Sequence, residues 1–582
     1  MTTRLDRPAP EAAGAASVPT PEALDAVLTG PDGSGALGAE ADSAERFPAE
    51  LHARLADFGL SAHYVPPEHG GSLDDHERLL RLWHVVARHD VSAVVAHGKT
   101  YLGAAPVWIA GDADQTTSMA AAVLSGRAVA WGLSEPDHGA DLRHGSVTAA
   151  REGDGYRVDG VKWPINNATR GDFMTLLART GPAGSPRGHS LFLVDKAALA
   201  PGSARPRPKV ATHGVRGADI SGLEFAGARL PETARIGAEG TGIETVLLAL
   251  QLTRTMCAAL SSGAGEHALR ITARFAATRL VQRRPLSARP RPAAILARCA
   301  ALLAGVEAAS LVAARSAHAL TGEMSVTSAI VKPLAPAVTD AVISDLAELL
   351  GVRSYLVDHH EHGAFQKLSR DHQVVAVFDG STPVNRAALA QQFPRLVRGR
   401  AGAVADTSGL AEAVALGTGP RPLDRSALTL VSRRGCTVVQ ALPRPVGDGG
   451  PPGLAEHVLA LHDLIDQVTG LMAEIPPAAL PGMPAYELAA AYELCYAGAA
   501  CVHLWTACAE QHADEPLWQD GLWVRAALRA LTHRMTRILR IAPPVPAPGD
   551  DELDAALTTR VAEAALHGAP VTPFGIGEAH GR

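Results

Sequence analysis

The stretch that decides the fold lies at residues 131–167, which begin WGLSEPDHGADL and end GYRVDGVKWPINN. Small residues at Gly139 and Ala140 allow the backbone to approach a planar ring closely. The hydroxyl of Ser134 and the neighbouring amide N–H groups are suited to hydrogen-bond the polar edge of such a ring. Either piece alone fits an ordinary turn between strands, but the two together predict a binding site for a flat, partly polar group.

Further segments extend this pattern in both directions. They are FGLSAHYVPPEHGG at 58–71, HGVRGADISGLEF at 213–225, LTRTMCAALSSGAGEHAL at 252–269 and LSRDHQVVAVFDGSTPVNRAAL at 368–389. In this order, and together with the central stretch, they resemble the acyl-CoA dehydrogenase family. The last segment is similar to the family's RDxxxxxIYEGTxxIQR motif, with Asp379 at the Glu position. The resemblance covers about residues 46–395.

The predicted fold is mainly α with a central β domain, as in that family. Residues 1–45 are rich in Ala, Pro, Gly and Ser, which predicts a mostly disordered arm. Apolar spacing predicts an N-terminal helical domain at 46–127, a β-barrel-like middle domain at 128–240 and a C-terminal helical bundle at 241–397. Three long amphipathic patterns predict an additional, mostly helical domain at 398–582. Very-long-chain members of the family also carry a C-terminal helical extension.

Composition excludes several function classes. With 582 residues, 47% of them hydrophobic and 19% charged, the chain is typical of a packed protein of several domains. A formal charge of −7 provides no basic field for nucleic acid. Six cysteines without a CxxC pair predict reduced core residues. We find neither a secretory signal pattern nor roughly 18 uninterrupted apolar residues, which predicts a cytoplasmic protein without a membrane span.

Oxidation of an acyl thioester at Cα–Cβ requires a base for the α-proton and hydrogen bonds to the thioester carbonyl. The resemblance implies that Asp379 is this base, one methylene shorter than the usual Glu. A minority of the family carries the base on the first bundle helix, directly before an arginine. That arginine corresponds to Arg254, which we assign to the substrate site, but Thr253 precedes it. The alternative role for Asp379 is to cap the helix that follows.

The resemblance also implies an FAD site. Trp131, Leu133 and Ser134 correspond to positions along the flavin ring and its pyrimidine edge, while Ala140 also borders the substrate. Arg279 corresponds to an arginine that reaches the diphosphate of a neighbouring subunit's FAD, which implies a homodimer or homotetramer. The complete implied set is Trp131, Leu133, Ser134, Gly139, Ala140, Pro164, Asn166, Arg279, Glu348, Gly351 and Ser381.

Several of these positions depart from the family pattern. Pro164 replaces the aromatic residue that covers the flavin, with Trp163 one place earlier, and Asn166 replaces the hydroxyl that faces flavin N5. The family's QxxGGxG becomes ELLGVR at residues 348–353. These changes predict a specialised member rather than a housekeeping β-oxidation enzyme. The DHHEH run at 358–362 predicts a solvated loop, and we expect no metal site.

Three functions fit the sequence. The first is FAD-dependent oxidation of an acyl thioester, on CoA or an acyl carrier protein, in a specialised biosynthetic pathway with an electron-transfer flavoprotein as acceptor. The second keeps the fold and the flavin but uses oxygen, as an oxidase or monooxygenase like the relatives that form epoxyketones. The third is a redox-silent scaffold, which the absorption spectrum of the purified protein separates from the other two.

Overall fold

The computed structural model describes residues 19–29, 38–403, 405–444, 450–476, 481–543 and 550–577. Helices precede the sheet, and their bounds are α1 (Pro21–Thr29), α2 (Ala39–Ser43), α3 (Ala49–Asp57), α4 (His76–His89), α5 (Val91–Ala110) and α6 (Ala113–Leu124). The prediction of disorder at 1–45 is wrong for α1 and α2, since α1 buries Leu24 and Leu28 and packs on α4. The rest of that arm at 1–18 and 30–37 lies outside the described residues.

The middle domain is one eight-stranded sheet. Its strands are β1 (Val129–Gly132), β2 (Thr148–Glu152), β3 (Gly155–Asn166), β4 (Phe173–Arg179), β5 (His189–Asp195), β6 (Ala204–Arg207), β7 (Ile220–Pro231) and β8 (Arg235–Ile236). The order is β6-β7-β3-β2-β4-β5-β8, and β1 runs parallel to β4. The register of β3 on β7 shifts between Lys162 and Ile165. Proline has no N–H for the ladder, so Pro164 is suited to this break.

A helical bundle follows the sheet. Its elements are α7 (Gly242–Met256), α8 (Ala258–Thr278), the hairpin β9 (Leu280–Val281) and β10 (Arg284–Pro285), α9 (Pro290–Ala319), α10 (Met324–Leu350), α11 (Ala364–His372), α12 (Thr382–Ala390) and α13 (Phe393–Ala401). Helices α8, α9 and α10 pack on one another, α8 also packs on α4, and α7 packs on α5. The site described below lies where α5, the sheet and the bundle meet.

One buried carboxylate joins these three parts. Asp371 on α11 accepts hydrogen bonds from the Val215 amide of the sheet domain at 2.6 Å and from Ser92 of α5 at 3.1 Å. Lys367 bridges Asp371 at 2.6 Å and Asp90, the N-cap of α5, at 2.8 Å. Asp371 is fully buried, so these hydrogen bonds take the place of the hydrogen bonds to water that the carboxylate loses on folding.

The C-terminal region continues the bundle. Its helices are α14 (Thr407–Val414), α15 (Thr437–Gln440), α16 (Leu454–Ala473), α17 (Met483–Cys508), α18 (Leu522–Leu539) and α19 (Asp550–His567). The three long predicted helices and the tail helix are confirmed as α16 to α19. Helices α17, α18 and α19 pack on α9, and they share one hydrophobic core with the N-terminal helices and the bundle.

All six cysteines are free and buried, as predicted. Three stretches are long and apolar enough to cross a membrane by length and composition: Gly242–Thr278, Pro290–Ala319 and Thr321–Ser354. Their most apolar windows are 72%, 94% and 83% buried inside the protein. The absence of a membrane span stays a prediction.

Candidate active site

The turn after β1 forms one wall of the candidate site. Trp131 is 1% exposed, and its Nε1 has no hydrogen-bond partner among the described residues. Leu133 and Ser134 are half-buried, and the turn then opens to solvent at Gly139 and Ala140. Gly139 has a φ of +49°, a left-handed backbone that glycine adopts without a steric penalty. This wall therefore combines a buried aromatic ring, a half-buried hydroxyl and exposed backbone, and its role in binding a cofactor stays a prediction.

A buried ion pair holds this turn in place. The Lys162 ammonium on β3 donates to Glu135 at 2.7 Å and to the Leu133 carbonyl at 3.0 Å. Glu135 also accepts from the amides of Ser146 and Val147, which ties the turn to the start of β2. Burial lowers the pKa of Lys162 to about 8. Burial alone raises the pKa of Glu135, but Lys162 and Ser146 lower it to about 2. These contacts give Glu135 a structural role.

The second half of the motif lies beside this turn. The Trp163 amide donates to the Ser134 carbonyl at 3.1 Å, and Pro164 is exposed. A Cβ on Gly222 of β7 would lie 3.0 Å from Trp163 Cδ1, so the Trp163 ring packs on β7. Asn166 Nδ2 donates to the Val95 carbonyl of α5 at 2.6 Å, which leaves its buried Oδ1 without a partner among the described residues.

Asp379 lies across from this wall, in the loop before α12. Its φ is +54°, a conformation that aspartate adopts more readily than most side chains with a Cβ. The N-cap of α12 is Ser381, and no side chain bonds that cap, so the capping alternative for Asp379 is wrong. The half-buried carboxylate has Cys257 Sγ 4.0 Å from its Oδ2. Within the described residues, Cys257 is the one side chain recorded in contact with this carboxylate.

Three side chains hold the Asp379 loop. Arg254 in the last turn of α7 donates from Nε to the Asp379 carbonyl at 2.9 Å. Lys332 on α10 donates to the carbonyls of Val375 at 2.6 Å and Gly380 at 3.4 Å. Asn385 donates to the Gly380 carbonyl at 2.8 Å. Arg254 thus lies at the predicted site, and its hydrogen bond positions the loop.

The site contains a lysine that the motifs do not predict. Lys99 on α5 has its Nζ 5.6 Å from the centre of the Trp131 ring. Burial lowers the pKa of Lys99, Arg254 and Lys332. The negative charge of Asp379 acts in the opposite direction and raises the pKa of all three groups. Burial also raises the pKa of the Cys257 thiol far above its usual value, so the thiol is neutral. The signal that could have identified Lys99 is a lysine within the largely apolar helix VVAHGKTYLGAAPVW.

The remaining predicted residues lie elsewhere. Arg279 ends α8 as an exposed residue, and no hydrogen bond or ion pair joins its side chain to the sheet within the described residues. Glu348 forms an exposed ion pair with Arg291, and Gly351 ends α10 with a φ of +59°. Ser381 lies at the start of α12, two residues after Asp379. Within the described residues, no hydrogen bond or ion pair joins Arg279, Glu348 or Gly351 to Asp379 or to the predicted residues of the sheet domain.

Among the residues that the structure describes, one buried group has ligand atoms close enough for a metal ion, namely His84, Glu266 and Glu307, within 4.8 Å of one another. Arg88 and Arg270 both donate to Glu266, and burial raises the pKa of Glu307. These features favour a hydrogen-bonded polar cluster over a bound cation. The DHHEH loop at 358–362 is mostly exposed.

The wall fits a flavin on its own chemistry. Trp131 Nε1 and Asn166 Oδ1 are buried polar atoms without partners among the described residues, and such atoms usually have a hydrogen-bond partner in a folded protein. The Ser134 hydroxyl and the open backbone at Gly139 border the same surface. A planar ring with a polar edge satisfies this set.

Comparison with known proteins identifies the family. Models of the acyl-CoA dehydrogenase N-terminal, middle and C-terminal domains match residues 36–127, 130–228 and 240–393, which together are more than half of the chain. The chain therefore belongs to the acyl-CoA dehydrogenase family of FAD-dependent oxidoreductases. Its fold is the acyl-CoA dehydrogenase fold, and FAD is the cofactor of the family.

Individual relatives extend this result. The probable acyl-CoA dehydrogenase FadE25 of Mycobacterium tuberculosis is 28% identical over 363 residues, which cover 61% of this chain and 90% of the relative. An acyl-CoA dehydrogenase complexed with FAD from Bacillus anthracis has a TM-score of 0.72 at 16% identity and covers 94% of both chains, so its fold includes the C-terminal region. The prolyl acyl carrier protein oxidase AnaB has a TM-score of 0.56 at 18% identity, covering 61% of this chain and 92% of its own.

Proposed function

We propose that this protein oxidises an acyl thioester at Cα–Cβ with Asp379 as the base. The observation that supports this most is that few protein groups contact the Asp379 carboxylate. Among the described residues, the one side chain recorded in contact with its carboxylate is Cys257, at 4.0 Å, and the alternative base position, Thr253, holds a buried hydroxyl. A base must lie where the α-proton leaves, and the loop that carries Asp379 is fixed by three side chains from three helices.

In this proposal each group has one task. The Asp379 carboxylate removes the α-proton, and its backbone N–H donates to the thioester carbonyl oxygen, where negative charge develops. Bound FAD supplies the acceptor for the hydride that leaves Cβ. Arg254 and Lys332 hold the loop so that the carboxylate keeps its distance from Cα. The wall from Trp131 to Ala140 would hold the flavin, with the Ser134 hydroxyl and the backbone at Gly139 available to its polar edge.

The test is direct. The full-length protein is mixed anaerobically with a series of acyl thioesters, on CoA and on an acyl carrier protein, and flavin bleaching and exchange of the α-proton are followed. Bleaching with any thioester supports the proposal, whereas a flavin that none of them bleaches contradicts it. A protein without a flavin spectrum that fails to take up FAD indicates the scaffold. AnaB, an acyl carrier protein oxidase by name, favours including carrier-linked substrates of a specialised pathway.

We further propose a homodimer or homotetramer, supported by the surface around Arg279. Several large apolar side chains are exposed near the ends of α8 and α10 and in the Asp379 loop. They are Leu280 at 60%, Val352 at 66%, Tyr355 at 85%, Val357 at 65% and Val377 at 64% exposed. A second copy of the chain that covers this surface would place its own FAD diphosphate beside Arg279.

Replacing Arg279 with alanine is expected to weaken FAD binding about 10- to 100-fold, because a charge-assisted hydrogen bond contributes roughly 1.5–3 kcal/mol. The measurement is FAD titration of the apoprotein, with light scattering for the oligomeric state. Arg187→Ala removes the same charge from an exposed turn of the sheet domain and serves as the control. A monomer that retains tightly bound flavin contradicts the assignment.

A second candidate function uses oxygen. Pro164 presents a small, exposed surface where the family has an aromatic cover, and Trp163 does not fill that space because its ring packs on Gly222. The uncovered side of the flavin site is then open to oxygen. Asn166 is less able to donate a hydrogen bond near flavin N5 than the sequence suggests, because its Nδ2 already donates to the Val95 carbonyl.

We therefore expect the reduced enzyme with ligand bound to react with oxygen about tenfold faster than its Pro164→Trp variant, a difference of roughly 1.4 kcal/mol in the barrier. The measurement is stopped-flow reoxidation after anaerobic reduction. Slow reoxidation of the unmodified protein, together with rapid electron transfer to an electron-transfer flavoprotein, contradicts the oxygen-dependent function and leaves the dehydrogenase.

A further inference from the structure

A cavity of about 470 Å³ lies between the N-terminal helices, α7 and the added C-terminal region. Its buried lining is mainly apolar and aromatic and consists of Pro66, His76, Tyr101, Ala105, Trp108 and Leu252. Its outer part is lined by side chains from residues 419–425, beyond the matched family domains, which end at residue 393. The described lining contains none of the residues assigned above to the base, the substrate or the flavin, so this cavity needs an explanation of its own.

The buried end of the cavity contains a chain of hydrogen-bonded side chains. Tyr101 Oη is 3.1 Å from His76 Nε2, and His76 Nδ1 is 2.9 Å from His318 Nε2. The chain ends where His318 Nδ1 lies 2.8 Å from the Arg421 carbonyl oxygen. Burial lowers the pKa of His318 to about 4 and also lowers the pKa of His76, so both rings are neutral at neutral pH.

The carbonyl oxygen fixes the direction of every hydrogen bond in this chain. A carbonyl oxygen only accepts, so His318 carries its proton on Nδ1 and accepts at Nε2, where the His76 backbone amide also donates at 3.2 Å. His76 then donates from Nδ1, because an unprotonated Nδ1 would face the Nε2 lone pair. Its own Nε2 accepts the Tyr101 hydroxyl proton. The Tyr101 oxygen keeps its accepting capacity, and no donor contacts it within the described residues.

The charged side chains of the cavity lining are paired with one another. Arg78 bonds Asp74 at 2.8 Å, and Arg425 bonds Glu68. A charged ligand would have to break one of these pairs or carry its own charge into the apolar interior, and either is costly. The lining therefore favours a neutral ligand, and the Tyr101 oxygen favours one that donates a hydrogen bond.

We propose that this cavity binds a neutral, mainly apolar molecule that ends in a hydroxyl group, which donates to Tyr101 Oη. A cavity of this size with an apolar lining and a few polar groups is typical of small-molecule sites. The apolar part of the ligand covers Ala105, Trp108 and Leu252, and removing that surface from water supplies most of the affinity. Because residues 419–425 complete the site, a bound ligand would also join the added region to the N-terminal helices. The proposal does not depend on the proposed oxidation.

The experiment compares two isomers, n-octanol and methyl heptyl ether. They contain the same atoms, but only the alcohol donates a hydrogen bond. Binding of each to the full-length protein as purified is measured by titration calorimetry. The alcohol is expected to bind about 3- to 10-fold more tightly, the usual contribution of one neutral hydrogen bond. Tyr101→Phe should abolish this preference, whereas Tyr156→Phe, which removes a hydroxyl from a buried ring of β3, should retain it.

A second variant locates the binding without disturbing the hydrogen-bonded chain. Leu423→Trp fills the outer part of the cavity and should weaken the binding of both isomers by about tenfold or more. Leu430→Trp adds the same ring at a position of the added region that is 44% exposed, and it should change neither affinity. Failure of both isomers to bind, equal binding of the two, a preference that survives in Tyr101→Phe, or binding that Leu423→Trp leaves unchanged would each overturn the proposal.

Discussion

Replacing Asp379 with asparagine is expected to lower the rate of thioester oxidation by about 10²–10⁴-fold, the usual contribution of a positioned general base. Asparagine suits this test because it tolerates the left-handed backbone found at φ +54° as well as aspartate does. The loop, its bond from Arg254 and the flavin wall are then preserved. Loss of α-proton exchange with normal flavin occupancy is the expected result.

Lengthening the same side chain provides the matched comparison. Asp379→Glu restores the reach of the usual family base, and a displacement near 1 Å costs about 10²-fold when the geometry is wrong. Higher turnover of straight-chain thioesters in this variant would indicate a native substrate that is bulky near the α-carbon. Unchanged α-proton exchange in Asp379→Asn means that the base lies elsewhere in the chain.

Much of the fold was predictable because its signals are local. The switch from helical to alternating apolar spacing near residue 128 follows from side-chain periodicity, and the structure places β1 at Val129–Gly132. The long apolar patterns after residue 450 form helices for the same reason. Helix α1 was missed because an alanine-rich, proline-rich composition hides two buried leucines whose packing partner, α4, lies far along the chain.

The candidate site was only partly predictable, because its electrostatics depend on contacts distant in sequence. The motifs predict Asp379, Arg254 and the residues of the flavin wall as parts of the site. They predict neither Lys99, which lies over the Trp131 ring from α5, nor Lys332, which donates to the Gly380 carbonyl from α10. The motif predicts Asn166 as a flavin contact, but its amide donates to the Val95 carbonyl of α5, a contact that only the structure shows.

The C-terminal region also supports the site in a way that no motif shows. Arg386 on α12 forms a paired contact with Glu493 on α17, at 2.8 and 2.9 Å, and Glu493 is 1% exposed. Helix α12 begins three residues after Asp379, so this buried pair fixes the far end of the same loop segment. The added helices thus contribute to the position of the Asp379 loop as well as to the hydrophobic core.

The second large effect is expected at Lys162. Replacing it with methionine leaves the Glu135 carboxylate buried without its counter-charge, and breaking a buried pair in this way costs about 3–5 kcal/mol. Lys162 is 1% exposed and Glu135 is 3% exposed, so water cannot take the place of the lost ammonium. The midpoint of urea unfolding should fall, and it should be measured on flavin-free protein, because FAD bound only to the folded state would mask part of the loss.

The double variant Lys162→Met/Glu135→Gln separates the effect of the unpaired Glu135 charge from the effect of losing the Lys162 side chain. Glutamine still offers an oxygen to the amides of Ser146 and Val147 but leaves no buried charge, so the double variant should be more stable than Lys162→Met alone. Both variants lose the bond to the Leu133 carbonyl, which sets the turn that carries Ser134. Both should therefore bind FAD more weakly than the unmodified protein, even where stability is recovered. An unfolding midpoint that is unchanged in Lys162→Met would contradict the role of this ion pair. Recovery of FAD affinity in the double variant would show that the weaker FAD binding comes from the unpaired charge of Glu135 rather than from the lost bond to the turn.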